Sequence, residues 1–134
     1  MDWSSVTYDN TPEFSLKGFN FNAKVLSVYD GDTVKVAFPF NGVMYRWNCR
    51  LEGVDTPELR TTNLKEKQFG YEVRDLLRAK ILDKVVYVKC GEFDKYGRLL
   101  IYISLDGEQI NQWLIDNEYA FSYDGGTKKE WFAI

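Results

Sequence analysis

Residues 45–52 read Tyr-Arg-Trp-Asn-Cys-Arg-Leu-Glu, a strict alternation of apolar and polar side chains. Successive side chains of a β-strand point to opposite faces, so this stretch predicts a strand with one buried face. Arg50 belongs to the polar set and is expected to point away from the apolar face. The apolar face is predicted to carry Tyr45, Trp47, Cys49 and Leu51.

Two strands are predicted before this one and two after it. Asn41-Gly42 is a strong signal for the hairpin turn that leads into it. The other predicted strands are Phe19 to Val28, Thr33 to Phe38, Val85 to Cys90 and Leu99 to Leu105. Apolar residues at helical spacing from Phe69 to Ile81 predict an amphipathic helix between the third and fourth strands, and Glu108 to Asn117 predicts a second, shorter one. This element order favours an α+β fold, a five-stranded OB-type β-barrel with two main helices.

The length of 134 residues fits one domain. Residues 1–18 show no hydrophobic period and are interpreted as a surface or partly disordered leader. Residues 19–124 are assigned to the barrel domain. Residues 125–134 are interpreted as a C-terminal tail, long enough for one turn of helix.

Composition excludes several classes of site. The chain has no histidine and only two cysteines, Cys49 and Cys90, so zinc sites and hydrolases with an imidazole base are excluded, and both thiols are expected in the core. A metal site must therefore use oxygen ligands. The net charge of −3 argues against nucleic-acid binding by bulk charge. Neither a membrane span nor an export signal is seen, so we expect an intracellular monomer, cytoplasmic or nuclear rather than secreted.

Three charged clusters lie at predicted strand ends: Asp30-Gly31-Asp32-Thr33, the stretch from Arg50 to Glu58, and Asp94-Lys95-Tyr96-Gly97-Arg98. Each alone is more often an ordinary turn with surface ions. A small barrel, however, can bring strand ends to one rim. Three carboxylates, one hard divalent cation and two guanidiniums would there complement a phosphodiester and the charge that develops on it.

The same three motifs, in this order and spacing, resemble the staphylococcal nuclease (thermonuclease) family over about residues 23–120. The resemblance implies an OB-type barrel and a Ca²⁺-dependent endonuclease that cleaves DNA and RNA to leave 3′-phosphate ends. Mg²⁺ or another hard divalent ion is an alternative cofactor. The family usually has a longer third helix, which is expected to be short or absent here.

Residue roles follow from the resemblance by position. Asp32 and Asp55 match the family's metal carboxylates, and Thr56 the residue whose carbonyl completes the ligands. Glu58 matches the general base. Arg50 and Arg98 match the pair that grips the phosphate. Lys95 and Tyr96 match residues that flank the phosphate of the bound nucleotide. The family's tyrosines beyond the second helix have no clear counterpart in this sequence, so Tyr119 and Tyr123 are candidates for contact with the base, and Tyr123 is taken as the substrate-binding one.

A second interpretation stays open, because barrels of this kind also occur as non-catalytic nucleic-acid-binding modules that stack bases on aromatic side chains. Such modules are expected to have lost site residues. All five side chains expected in the site are present here, which favours the enzyme: Asp32, Arg50, Asp55, Glu58 and Arg98.

Overall fold

A computed structural model describes residues 2–132 of the chain. The strands are β1 (Asn20–Val28), β2 (Thr33–Phe40), β3 (Val43–Leu51), β4 (Val54–Asp55), β5 (Val85–Phe93), β6 (Leu99–Leu105), β7 (Glu108–Gln109) and β8 (Phe121–Ser122). The helices are α1 (Leu64–Ile81) and α2 (Ile110–Asp116), and a 3-10 turn spans Trp3–Ser5.

The five long strands form a closed barrel. Their order is β3-β2-β1-β5-β6, and parallel pairing of β3 with β6 joins the two edges. Arg50 on β3 lies opposite Leu100 in this closing pair. The predicted five-stranded OB-type barrel with two helices is confirmed.

Helix α1 begins five residues before the predicted Phe69. Asn63 caps it, since its side-chain oxygen accepts hydrogen bonds of 3.1 Å from both Lys65 N and Glu66 N. The first turn carries mostly polar side chains, so apolar periodicity did not reveal it. The buried stripe is Gly70, Val73, Leu77 and Ile81. Leu76, one of the apolar residues between Phe69 and Ile81 on which the helix prediction rests, is 41% exposed and lies outside that stripe.

The core fills the barrel and the side of it that α1 covers. Cys49 and Leu51 are fully buried, as the alternation predicts. At the other end of β3, Trp47 stacks on Phe38 with 4.6 Å between ring centroids, while Tyr45 is 47% exposed. The apolar face of β3 is therefore fully buried only toward the C-terminal end of the strand.

The segments outside the barrel are mostly exposed. In the first eighteen residues Leu16 is the exception, because it is fully buried in the core. Residues 125–132 contain turns and no helix. The predicted leader and tail extend to Met1, Ala133 and Ile134, which lie outside the described residues. Within residues 2–132 no helix has the length and apolarity required to cross a bilayer.

Candidate active site

The turn between β1 and β2 fixes Asp32. Asp30 Oδ1 accepts hydrogen bonds from Asp32 N at 3.1 Å and Thr33 N at 2.8 Å, which closes the turn around the Asp30 side chain. A Cβ at Gly31 would lie only 2.7 Å from Thr56 Cβ, so glycine permits the turn to pack against Thr56. Thr56 N in turn donates to Asp32 Oδ2 at 3.4 Å. Two segments distant in sequence thus meet at Asp32.

Arg50 forms a buried ion pair with Asp32. Its Nη2 lies 3.4 Å from Asp32 Oδ2, and its Nη1 donates to the Leu51 carbonyl at 3.2 Å. The β2–β3 ladder places the two residues together, since Thr33, the neighbour of Asp32, lies opposite Arg50. The Tyr123 ring covers the guanidinium, with 5.5 Å from Cζ to the ring centroid. Arg50 is therefore only 8% exposed, although it belongs to the polar set of β3.

Asp55 lies in β4, which pairs with β8 through Asp55 and Phe121. Its side chain is 4% exposed, and its Oδ1 is buried without a hydrogen bond. Burial raises the pKa of Asp55, and the positive charge of Lys128 opposes that rise. A buried carboxylate oxygen without a hydrogen bond requires a positive charge nearby.

The nearest cation is Lys128, from the C-terminal segment. Its Nζ lies 3.4 Å from Asp55 Oδ1 and donates to Glu58 Oε1 at 3.2 Å. Partial burial works to lower the pKa of Lys128, but the Asp55 and Glu58 carboxylates outweigh it and raise the pKa. The ammonium is thus held as a cation between two of the predicted site residues.

A second buried acid adjoins this group. Burial raises the pKa of Asp30 to about 7, with a further contribution from the negative charge of Asp32. The raised pKa favours the protonated form of Asp30, so this turn places less negative charge beside Asp32 than two ionised carboxylates would.

Arg98 is oriented by Asp94 across the β5–β6 hairpin. Asp94 Oδ2 accepts from Arg98 Nε at 2.8 Å, and Asp94 Oδ1 accepts from the backbone N–H groups of Tyr96 and Arg98 at 2.9 Å each. Tyr96 is 73% exposed, and its ring lies 5.6 Å from Arg98 Cζ and 5.2 Å from Lys95 Nζ. The hairpin presents one anchored guanidinium beside an exposed ring.

These side chains converge on one cleft of about 380 Å³. Four predicted site residues line it: Asp32, Arg50, Glu58 and Arg98. Asp55 and Thr56 do not line it: both are buried, with contacts to Lys128 and Asp32 respectively, and Asp55 lines a separate depression together with Tyr123. Lys95 and Tyr96 lie at the hairpin tip and Tyr123 beneath the guanidinium of Arg50, all outside the lining.

Two residues without a predicted role stand in the site. Lys128 lines the cleft, and nothing in its local sequence distinguishes it from Lys129. Asp94 positions Arg98, and the Asp-x-x-Gly turn pattern could have indicated it.

The donor set suits a hard cation. Within residues 2–132 no three acidic, histidine or cysteine side chains converge as metal ligands. The ligand set expected from the sequence has only two such side chains, the carboxylates of Asp32 and Asp55. Its third ligand is a backbone oxygen, the carbonyl of Thr56. The expected ligand atoms are all oxygen, and Asp55 Oδ1, which has no hydrogen bond, already lies 3.4 Å from the Lys128 ammonium. Oxygen ligands favour Ca²⁺ or Mg²⁺ over zinc.

The fold and the cleft define a class: small OB-type barrels with a rim site of carboxylates and guanidiniums. The family model described as "Staphylococcal nuclease homologue" matches residues 48–131. An uncharacterized protein of Methanocaldococcus jannaschii is 30% identical over 89% of this chain and 67% of its own length. The chain therefore belongs to the staphylococcal nuclease family, a family of nucleases.

Two further relatives carry names that state an activity. The thermonuclease of Staphylococcus hyicus is 34% identical over 66% of this chain and 52% of its own length. An uncharacterized endonuclease of Escherichia coli O157:H7 is 28% identical over 78% of this chain and 63% of its own length. The chain thus spans about half to two thirds of the length of these three curated relatives.

Proposed function

We propose that this protein is a metal-dependent endonuclease that hydrolyses phosphodiester bonds in DNA and RNA and leaves 3′-phosphate ends, with Ca²⁺ as the cation. One observation carries the proposal: guanidiniums from two separate segments, Arg50 and Arg98, line the same cleft as the Asp32 and Glu58 carboxylates. A cleft with both charges matches a phosphodiester and the extra negative charge of its transition state.

Asp32, Asp55 and the Thr56 carbonyl would hold the cation. When bound, a hard divalent ion supplies Lewis-acid polarisation of a phosphoryl oxygen and orients a water molecule. Asp55 Oδ1 supports this assignment, since it is buried without a hydrogen bond and its charge is compensated by the Lys128 ammonium at 3.4 Å, a place that a metal cation can take.

Arg50 and Arg98 would bind the phosphate oxygens and stabilise the charge that develops on them. A planar guanidinium can donate two parallel hydrogen bonds to such oxygens. Asp94 keeps Arg98 in place through the 2.8 Å contact to its Nε, which leaves the terminal nitrogens for the substrate. Tyr96, Lys95 and Tyr123 would contact the nucleotide around the phosphate.

Glu58 is the proposed general base. Its side chain is 46% exposed and lines the cleft, so a water molecule can reach it. Its backbone N–H donates to Glu66 Oε2 at 2.8 Å, which ties this loop to the start of α1. The carboxylate would take the proton of the attacking water.

The test is cleavage of 5′-labelled single-stranded DNA, RNA and plasmid with Ca²⁺, with Mg²⁺ and with EDTA. We expect cleavage only when a divalent ion is present and none in EDTA. The products should become extendable by a polymerase only after a 3′-phosphatase has removed the terminal phosphate. Persistent binding without cleavage under every ion would favour the non-catalytic binding module. Products that polymerase extends without phosphatase treatment would contradict the 3′-phosphate assignment.

A further inference from the structure

A second depression adjoins the cleft on the side of α1. It has a volume of about 750 Å³ and is named here the α1 groove. The charged and aromatic residues that line it are Tyr29, Arg60, Lys67, Tyr71, Arg74 and Arg78.

Four of these residues form one stripe along the helix. Lys67, Tyr71, Arg74 and Arg78 are spaced by four, three and four residues, so they lie on the same face of α1. The eleven-residue interval corresponds to about 16 Å along the helix axis. A stripe of this length suits an extended ligand better than a single small anion.

The groove concentrates positive charge in a chain whose net charge is −3. Its lining contains four cationic side chains and no acidic one. Asp75, outside the lining, pairs with Arg74 at 3.0 Å and with Arg78 at 3.9 Å, which offsets part of the charge. The positive charge that remains favours the binding of a polyanion in the groove.

Two aromatic rings stand within this basic surface. Tyr29 is 48% exposed and Tyr71 is 40% exposed. The Arg74 guanidinium lies 4.7 Å from the Tyr71 ring centroid. Arg78 Nε donates to the Val28 carbonyl at 3.0 Å, which fixes a cation beside Tyr29. Cations interleaved with exposed rings are typical of surfaces that bind single strands, because unpaired bases can stack there.

The groove is continuous with the cleft. Tyr29, Leu59 and Arg60 line both depressions. A strand whose phosphate lies between Arg50 and Arg98 can therefore continue past Arg60 onto α1 without leaving the surface.

We propose that the α1 groove binds the stretch of single-stranded nucleic acid next to the phosphate that is cleaved. Arg60, Lys67, Arg74 and Arg78 contact its backbone, and Tyr29 and Tyr71 stack on its bases. The position of this strand relative to the cleaved bond rests on the proposed function. The binding itself depends only on the charge and the rings of the groove.

The test measures binding without cleavage. A fluorescein-labelled 12-nucleotide deoxythymidine strand is titrated in EDTA, with anisotropy as the readout, at several salt concentrations. The groove variant is Lys67→Gln with Arg74→Gln. The control variant is Lys65→Gln with Lys84→Gln, which makes the same change in net charge at two exposed sites outside the groove.

We expect the groove variant to bind at least tenfold more weakly than the control variant. The slope of log K against log salt should fall by about 1.4, because two phosphate contacts are lost. Tyr71→Ala should weaken binding without a change in that slope. Circular dichroism melts of each variant verify that it is folded.

Equal affinities for the groove and control variants would overturn the inference, as would equally strong groove-dependent binding of a duplex of the same length. Because EDTA is present throughout, a chain that does not cleave gives the same binding result. The cleavage assay above then reports separately on the proposed function.

Discussion

Lys128 Nζ lies 3.4 Å from Asp55 Oδ1, the buried oxygen that has no hydrogen bond. The contact joins the C-terminal segment to the centre of the candidate site. It rests on the β4–β8 pairing, which lays residues 121–122 along Val54 and Asp55. The ammonium and a bound metal ion would therefore compete for the same carboxylate.

Lys128→Met should strengthen cation binding. Removal of a partly exposed charge at this distance is expected to raise the affinity for Tb³⁺ or Ca²⁺ by about two- to tenfold. Tyrosine-sensitised Tb³⁺ luminescence measures this affinity. Lys129→Met is the matched control, since it removes the same charge from the neighbouring position. An unchanged or weaker affinity in Lys128→Met would show that the ammonium does not compete with the ion.

Arg98→Lys should lower kcat by about 10²- to 10³-fold while the fold is retained, because lysine lacks the planar fork that donates to two phosphate oxygens. Arg98 is the cleaner test of the two arginines, since substitution of Arg50 also leaves the buried Asp32 without its partner. Single-turnover cleavage rates measure the effect, with Arg46→Lys on the exposed part of β3 as the control. A wild-type rate in Arg98→Lys would remove this guanidinium from the mechanism.

Glu58→Gln should lower the cleavage rate by about 10²- to 10⁴-fold if the carboxylate takes the proton of the attacking water. The amide keeps the shape of the side chain and a hydrogen bond from Lys128 but cannot accept that proton. The rate is compared with that of Glu72→Gln, an exposed substitution on α1. A loss smaller than tenfold would assign Glu58 a structural role.

Stability should fall as pH rises from about 9 to 12 through the two buried thiols. Burial raises the pKa of Cys49 to about 12 and that of Cys90 to about 11. The unfolded thiols ionise first, near their ordinary pKa of 9.0, so the unfolded state binds fewer protons in this range and is favoured. Urea unfolding at pH 8 and pH 10 measures the change. Cys49→Ala with Cys90→Ala should reduce this dependence, and an identical dependence in that variant would contradict the account.

The fold was predictable from sequence because its signals are local. The alternation in β3 and the spacing of Val73, Leu77 and Ile81 are each visible within one element. The start of α1 was not, since its first turn is fixed by the Asn63 cap rather than by apolar residues. The burial of Leu16 depends on the barrel against which it packs and leaves no periodic signal.

The motifs that supply the site residues could be identified from the sequence, but the contacts between those residues could not. Asp32, Arg50, Glu58 and Arg98 reach one cleft because each stands at the end of a strand or in the loop that follows it. The place of Lys128 follows from the pairing of β4 with β8, two short strands more than sixty residues apart, so no local pattern indicates it. The same holds for Gly31. Only the folded structure shows that Thr56 lies beside it and leaves no space for a Cβ.

Calcium titration by isothermal calorimetry tests the central claim most directly, that the oxygens of Asp32 and Asp55 hold a hard cation beside the two guanidiniums. We expect one ion per chain in the wild type and at least tenfold weaker binding in Asp55→Asn, with Asp83→Asn unchanged. Titration should extend to about 10 mM, because weak calcium sites reach millimolar dissociation constants. No binding in the wild type, or equal binding in Asp55→Asn, would contradict the claim.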